Sequence, residues 1–446
     1  MAIDVIGAGE PDASGDGEPL LPSADPFLRP PKGFASRPPG TILRSRRVEL
    51  ALFGLVPQQV SAWQLLYRSC DLHGTPEAAI TTVLLPLDAE PEEDRPLLAF
   101  QTAMDAVAER CSPSYALRRG SHALGSVTQF EWMLVANALR RGWAVSIADH
   151  EGPHGNFGAP REPGYRGLDG IRAALRFAPL GLRPDTRVGV WGYSGGGMAS
   201  SWLVEMAPTY APEIDIVGAV LGAPVGDPGQ VFTRLNGGHY AGLPAIVVAA
   251  LRRLYPALAA VFDGDCDAEG HRLIERAERA TPLSAILGLV NRDVGHHLTR
   301  PLDEVLAAPD MQAMLADLRL GHSTPTCPLL IVQPVHDQII HMDGVDGQVE
   351  RYRRGGAQVT YVRDRLSEHF SLLPLATPIS LDWLSDRLAG QPVHEESDST
   401  VWSVAASPAG VRGLLEMLGT ALKVALGKPL RQETAPTKRI RRVRAA

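Results

Sequence analysis

Apolar residues in this chain follow two alternating patterns. Short, nearly unbroken runs rich in β-branched residues read as buried strands: ITTVLLPL (80–87), WAVSIAD (143–149), VGVWGY (188–193), IVGAVLGAP (216–224), PLLIVQPV (328–335) and QVTYV (358–362). ILRSRRVEL (42–50) is a further strand of mixed character. Between them lie stretches with apolar residues at helical spacing. VTQFEWMLVANALRR (127–141) is stopped by Gly142, and LDGIRAALRF (168–177), MASSWLVEM (198–206) and LDWLSDRL (381–388) behave alike. Strands alternating with helices in this order predict an α/β fold with a doubly wound, mostly parallel sheet and helices on both faces.

One interval breaks the alternation. From about residue 227 to 326 the chain is predominantly helical and apolar, with AGLPAIVVAALRRLYPALAAVF and TPLSAILGLV, too long for a loop. The pattern therefore predicts five segments: an extended, Pro/Gly-rich arm (1–40), the first part of the core (41–226), a helical insertion forming a subdomain (227–326), the second part of the core (327–390) and a C-terminal extension (391–446). The extension carries an apolar stripe at Val411, Leu414, Leu415, Leu418, Leu422 and Ala425, read as a face that docks on the body rather than on a membrane.

Composition narrows the class. The 446 residues, 45% of them hydrophobic and 21% charged, suffice for a large enzyme-sized core. A net charge of −7 supplies no basic field and argues against nucleic acid as a partner. The local exception, TKRIRRVR at 437–444, reads as a solvated end, with an anchor on anionic lipid as the alternative. Cys70, Cys111, Cys266 and Cys327 lie too far apart for a zinc ribbon or a C-x-x-C pair, and disulfides between them are not required. No signal peptide, apolar run of transmembrane length or N-x-S/T sequon is readable.

Two short motifs carry chemistry. WGYSGGGMAS contains G-x-S-x-G from Gly192 to Gly196. The pattern is weak in a chain with 44 glycines. Its context is stronger, because a strand runs into Ser194 and a helix follows, as at a nucleophile elbow. Such a serine needs an acid and then a histidine from later strands. Asp337 follows the strand PLLIVQPV, and His369 lies just beyond QVTYV. Asp343 and Asp346 compete as acids, and His336 and His341 as bases, but these histidines precede the strand that should deliver the base. His296 and His297 are expected on the surface of the helical insertion.

The second motif, HEGPH (150–154), fits the H-E-x-x-H pattern of zinc peptidases. Zinc chemistry there requires both histidines on one helical face, and Gly152 with Pro153 would cost about 4 kcal/mol inside a helix relative to alanines. The segment also follows a strand directly. A loop in that place is suited instead to completing an oxyanion hole, with Gly195 giving one N–H and Asp149 the second donor, through its backbone or when protonated. His150 and His154 are then scaffold.

Taken together, PPKGFASRPPGTILRSR, LLYRS, CSPSY, GWAVSIADHEG, GLDGIRAAL, VGVWGYSGGGMAS, YAPEIDIVGAVLGAP, LNGGHYAG, VHDQII and SEHF resemble the yeast lipase A-like secretory lipases of fungi and actinobacteria, from about Asp25 to Leu388. The resemblance implies an α/β-hydrolase with a Ser194–Asp337–His369 triad, oxyanion donors at Asp149 and Gly195, and a helical lid over an acyl-binding tunnel. It implies a secreted enzyme, though no leader is readable here. The expected activity is hydrolysis of lipid carboxylic esters, triacylglycerols first, without metal or organic cofactor. Short-chain esterase or acyltransferase activity uses the same triad, and a non-catalytic binding protein is the remote rival.

Overall fold

The expected mostly parallel sheet is present in the structure, a computed structural model that describes residues 18–90, 94–393 and 397–432. Its strands are β1 (Ile42–Arg47), β2 (Leu50–Leu52), β3 (Val56–Gln58), β4 (Ser61–Cys70), β5 (Pro76–Leu85), β6 (Leu97–Gln101), β7 (Ala144–Ala148), β8 (Val188–Tyr193), β9 (Ile216–Gly222), β10 (Leu329–Pro334), β11 (Val359–Asp364) and β12 (Asp398–Val401). Ten form one sheet in the order β1-β4-β5-β7-β6-β8-β9-β10-β11-β12, while β2 and β3 make a separate hairpin. Pairing is antiparallel from β1 to β7 and parallel from β7 onward.

Side chains alternate between two cores. Val188 and Val190 of β8 enter the core that contains helices Glu162–Arg176 and Gly195–Tyr210, whereas Trp191 and Tyr193 enter the one beneath helices Val127–Arg140 and His369–Leu388. Leu97 and Ala99 of β6 divide from Leu98 and Phe100 in the same way. Burial on both faces is why these strands read as continuous apolar runs.

Between β9 and β10 the chain forms seven α-helices, from Pro228–Leu235 to Pro309–Leu318. Their apolar faces join the first core without a break, through Ile246, Leu251, Phe262 and Met314 among others.

The C-terminal helix Pro408–Ala425 departs from expectation. It lies on helices 369–388 and 127–140, but the side turned inward carries Gly410, Gly413, Met417, Thr420 and Val424. A Cβ on Gly413 would come within 2.5 Å of Pro378 Cβ, so the close approach depends on glycine. Val411, Leu415, Leu418 and Leu422, read as the docking stripe, point outward. The basic stretch 437–444 lies outside the described residues.

Candidate active site

Ser194 sits between β8 and helix 195–210 with φ 54° and ψ −120°, a strained turn for a residue with a side chain. The glycines around it are required by contact distances. A Cβ at Gly192 would lie 2.1 Å from the Gly196 carbonyl, and one at Gly196 would lie 2.1 Å from that of Gln101. The turn is tied to the sheet by the Ser194 N–H, which donates to the Gly222 carbonyl at 2.9 Å.

Asp337 follows β10 and is buried. Its Oδ1 accepts the N–H groups of Ile339 (2.8 Å) and Ile340 (2.7 Å), which leaves Oδ2 facing His369 Nδ1 at 2.8 Å. His369 opens helix 369–388 under a reciprocal cap between Glu368 and Ser371. Its N–H donates to Gln338 Oε1 (3.0 Å), and its carbonyl accepts the Tyr193 hydroxyl (2.5 Å). Backbone anchors on both sides thus fix the ring, whose Nε2 lies 2.9 Å from Ser194 Oγ. With Nδ1–H donating to the carboxylate, Nε2 is free to accept the serine proton.

The other candidates lie apart. Asp343 pairs with His341 at the surface and Asp346 with Arg363, while His336 is exposed. His296 is exposed, and His297 pairs with Asp267. All four cysteines are free thiols.

Gly195 opens the helix after the serine, where first-turn N–H groups have no intrahelical partner. Asp149, expected as the second oxyanion donor, is elsewhere. Its N–H is committed to the Ile80 carbonyl (3.0 Å), and its carboxylate accepts the N–H (2.9 Å) and hydroxyl (2.5 Å) of Ser114. It lines a different cavity, with Pro22 and Asp25. The reason is strand order: β6 is the neighbour of β8, and β7, which carries Asp149, is one strand further out.

The loop after β6 brings Asp105 to the serine instead. This buried residue has φ 49°, and a Cβ on Gly195 would fall 1.8 Å from its Oδ1. That oxygen has no hydrogen-bond partner among the described residues. Burial raises the Asp105 carboxyl to about 7, with His369 acting against the rise. Protonated, it is a hydrogen-bond donor beside Ser194 and Gly195.

HEGPH braces this loop. His150 Nε2 lies 2.8 Å from the Thr102 carbonyl, and burial lowers its imidazole to about 4, so the neutral ring donates there. Glu151 accepts the N–H groups of Asp105 (3.0 Å) and Ala106 (3.4 Å). The fully buried Arg166 ties the His150 carbonyl (3.1 Å) to Glu162 (2.8 Å) and Glu77 (2.7 Å). His154 is exposed on the far side of the turn made by Gly152 and Gly155, so the two histidines do not converge.

Ser194, Gly195 and Asp105 open into an apolar cavity walled by Phe157, Val231, Leu243 and Ile339 among others. A second apolar cavity lies within the helical insertion, and Pro228, Phe232 and Val247 line both.

A parallel sheet with a serine at the β8 elbow, and an acid and a histidine after later strands, defines an α/β-hydrolase. The chain belongs to the secretory lipase family, whose model matches residues 117–396. It is 50% identical over 412 residues to a Mycobacterium tuberculosis protein described as a probable inactive lipase, with 92% of each chain covered. It is 34% identical over 422 residues to lipase A of Arthroderma benhamiae, covering 92% of this chain and 89% of that one. The X-ray structure of Candida antarctica lipase A superposes with a TM-score of 0.81 at 25% identity, covering 94% of this chain and all of the other.

Proposed function

We propose that the protein hydrolyses carboxylic esters of lipids, with triacylglycerols as its substrates, through an acyl-enzyme on Ser194. The observation that carries this reading is the continuous hydrogen-bonded line Asp337–His369–Ser194, ending at a strained elbow that opens on an apolar cavity. In the proposed reaction Ser194 Oγ attacks the ester carbonyl while His369 Nε2 takes its proton. Asp337 holds the ring and stabilises the imidazolium. The Gly195 N–H and the protonated Asp105 carboxyl receive the oxyanion. Collapse expels the alcohol, protonated by His369, and water activated by the same imidazole releases the acid.

The two apolar cavities support a long acyl chain. The substrate's acyl tail lies against Phe232 and Val247, under the helical insertion, which acts as the lid. A p-nitrophenyl ester series from acetate to palmitate tests this. Activity is expected to rise with chain length and to be lost in Ser194→Ala, whereas a maximum at acetate would make the protein a short-chain esterase.

The description of the mycobacterial relative prompts a second reading, a lipid-binding protein without turnover. The assembled serine, histidine and aspartate argue against it in this chain. No hydrolysis across the series by folded protein would support it.

A further inference from the structure

The C-terminal helix 408–425 is placed the wrong way round for a helix whose only task is to pack on the body. At 100° per residue, Gly410, Gly413, Met417, Thr420 and Val424 share one face, and Val411, Leu415, Leu418, Leu422 and the following Leu426 share the nearly opposite one. The small residues are turned in. The five large apolar residues are 51–66% exposed, an arrangement that costs burial unless something else covers them.

Charge says what covers them. Arg412 and Lys428 are exposed along the same stretch, Arg431 beyond them is paired with Asp88 (3.0 Å), and the helix contains a single acid, Glu416. The chain then continues into TKRIRRVR, with Lys438, Arg439, Arg441, Arg442 and Arg444, in a protein whose overall charge is −7. An apolar stripe followed by a basic run matches a surface that is apolar below and anionic above. A second copy fits poorly, because one five-residue stripe is small for a stable dimer. No single helix among the described residues is long and apolar enough to cross a membrane, so the contact is a dock and not a span.

We propose that the exposed face of helix 408–425 docks the protein on an anionic phospholipid surface. Its leucines enter the boundary between headgroups and acyl chains, and Arg412 and Lys428 lie against the headgroups. This docking is independent of whether Ser194 is a nucleophile.

Co-sedimentation of the full chain with phosphatidylcholine vesicles, with and without a third of phosphatidylglycerol, tests it. Binding to the anionic vesicles is expected to be at least about tenfold tighter. Leu415→Ser/Leu418→Ser/Leu422→Ser should weaken it about tenfold or more, and Arg412→Gln/Lys428→Gln should lessen the preference for anionic lipid. Both variants should keep the wild-type circular dichroism spectrum and urea unfolding midpoint, which separates lost docking from lost folding. Undiminished vesicle binding by the triple serine variant would overturn the proposal. So would a wild-type dimer in solution that the triple variant converts to monomer, since the stripe would then be a seam between copies.

Discussion

At Gly195 and Gly196 two neighbouring residues of one motif are constrained by different atoms, and they should fail differently when a methyl group is added. At Gly196 the clash is with backbone, the Gln101 carbonyl of β6, so Gly196→Ala is expected to destabilise the protein by about 3 kcal/mol in urea unfolding as well as abolish activity. At Gly195 the clash is with the Asp105 carboxyl, which can rotate away. Gly195→Ala should therefore unfold near the wild-type midpoint yet lose at least about tenfold in kcat as the second oxyanion donor is displaced. In the proposed mechanism Asp105 also sets a pH limit. Its carboxyl, raised to about 7, donates only while protonated, so activity should fall as pH rises through 7. Asp105→Asn keeps a donor that does not ionise, and its activity should lose that alkaline decline. Stability has the same sign: the contribution of a raised carboxyl is complete below its unfolded value near 4 and is lost as pH rises through 7. The asparagine variant should be more resistant to urea than wild type at pH 8, and equal resistance there would place the ionised group in water instead.

That Ser194, Asp337 and His369 come into hydrogen-bond contact was legible because each lies just past the end of a strand with a clear apolar signature. Asp105 was not, because β6 is only LLAFQ, preceded by the acidic PEEDRP, and gives too short a run to separate from a loop. Without that strand, the loop nearest to β8 could only be assigned to β7, which put Asp149 beside the serine where the structure has Asp105.

On the scale of elements, the loop 149–155 acts on the site through its neighbour. Glu151→Ala would leave the buried N–H groups of Asp105 and Ala106 without acceptors, at about 1–3 kcal/mol each. It should lower thermal stability and kcat together. Glu151→Gln, which retains one carbonyl acceptor, should recover most of the stability and only part of kcat, with KM unchanged throughout. A full recovery of kcat would mean that Asp105 needs no brace. The same scale shows what patterning cannot tell. The long β-branched runs announce buried strands because both faces are covered. The polar edge strand β12, DSTV, has no such signature and forms by pairing with β11. The stripe on helix 408–425 was visible in the sequence, but which face meets the body depends on the close approach that Gly413 allows over Pro378.

For the whole molecule, the account joins a serine above a parallel sheet to apolar space inside a helical insertion. Val247 walls both cavities, so Val247→Trp is expected to fill the space at their common wall. Hydrolysis of palmitate should drop by about tenfold or more while that of acetate is retained. An equal loss on both would separate the inner cavity from substrate binding. The central claim, that Ser194 is the nucleophile, is tested most directly by reacting the folded protein with a fluorophosphonate and locating the adduct by peptide mass spectrometry. The account predicts one stoichiometric adduct, on the peptide carrying Ser194, absent from Ser194→Ala and strongly slowed in His369→Ala. An unlabelled Ser194 in a folded protein, or an adduct on another residue with ester hydrolysis intact, would contradict it.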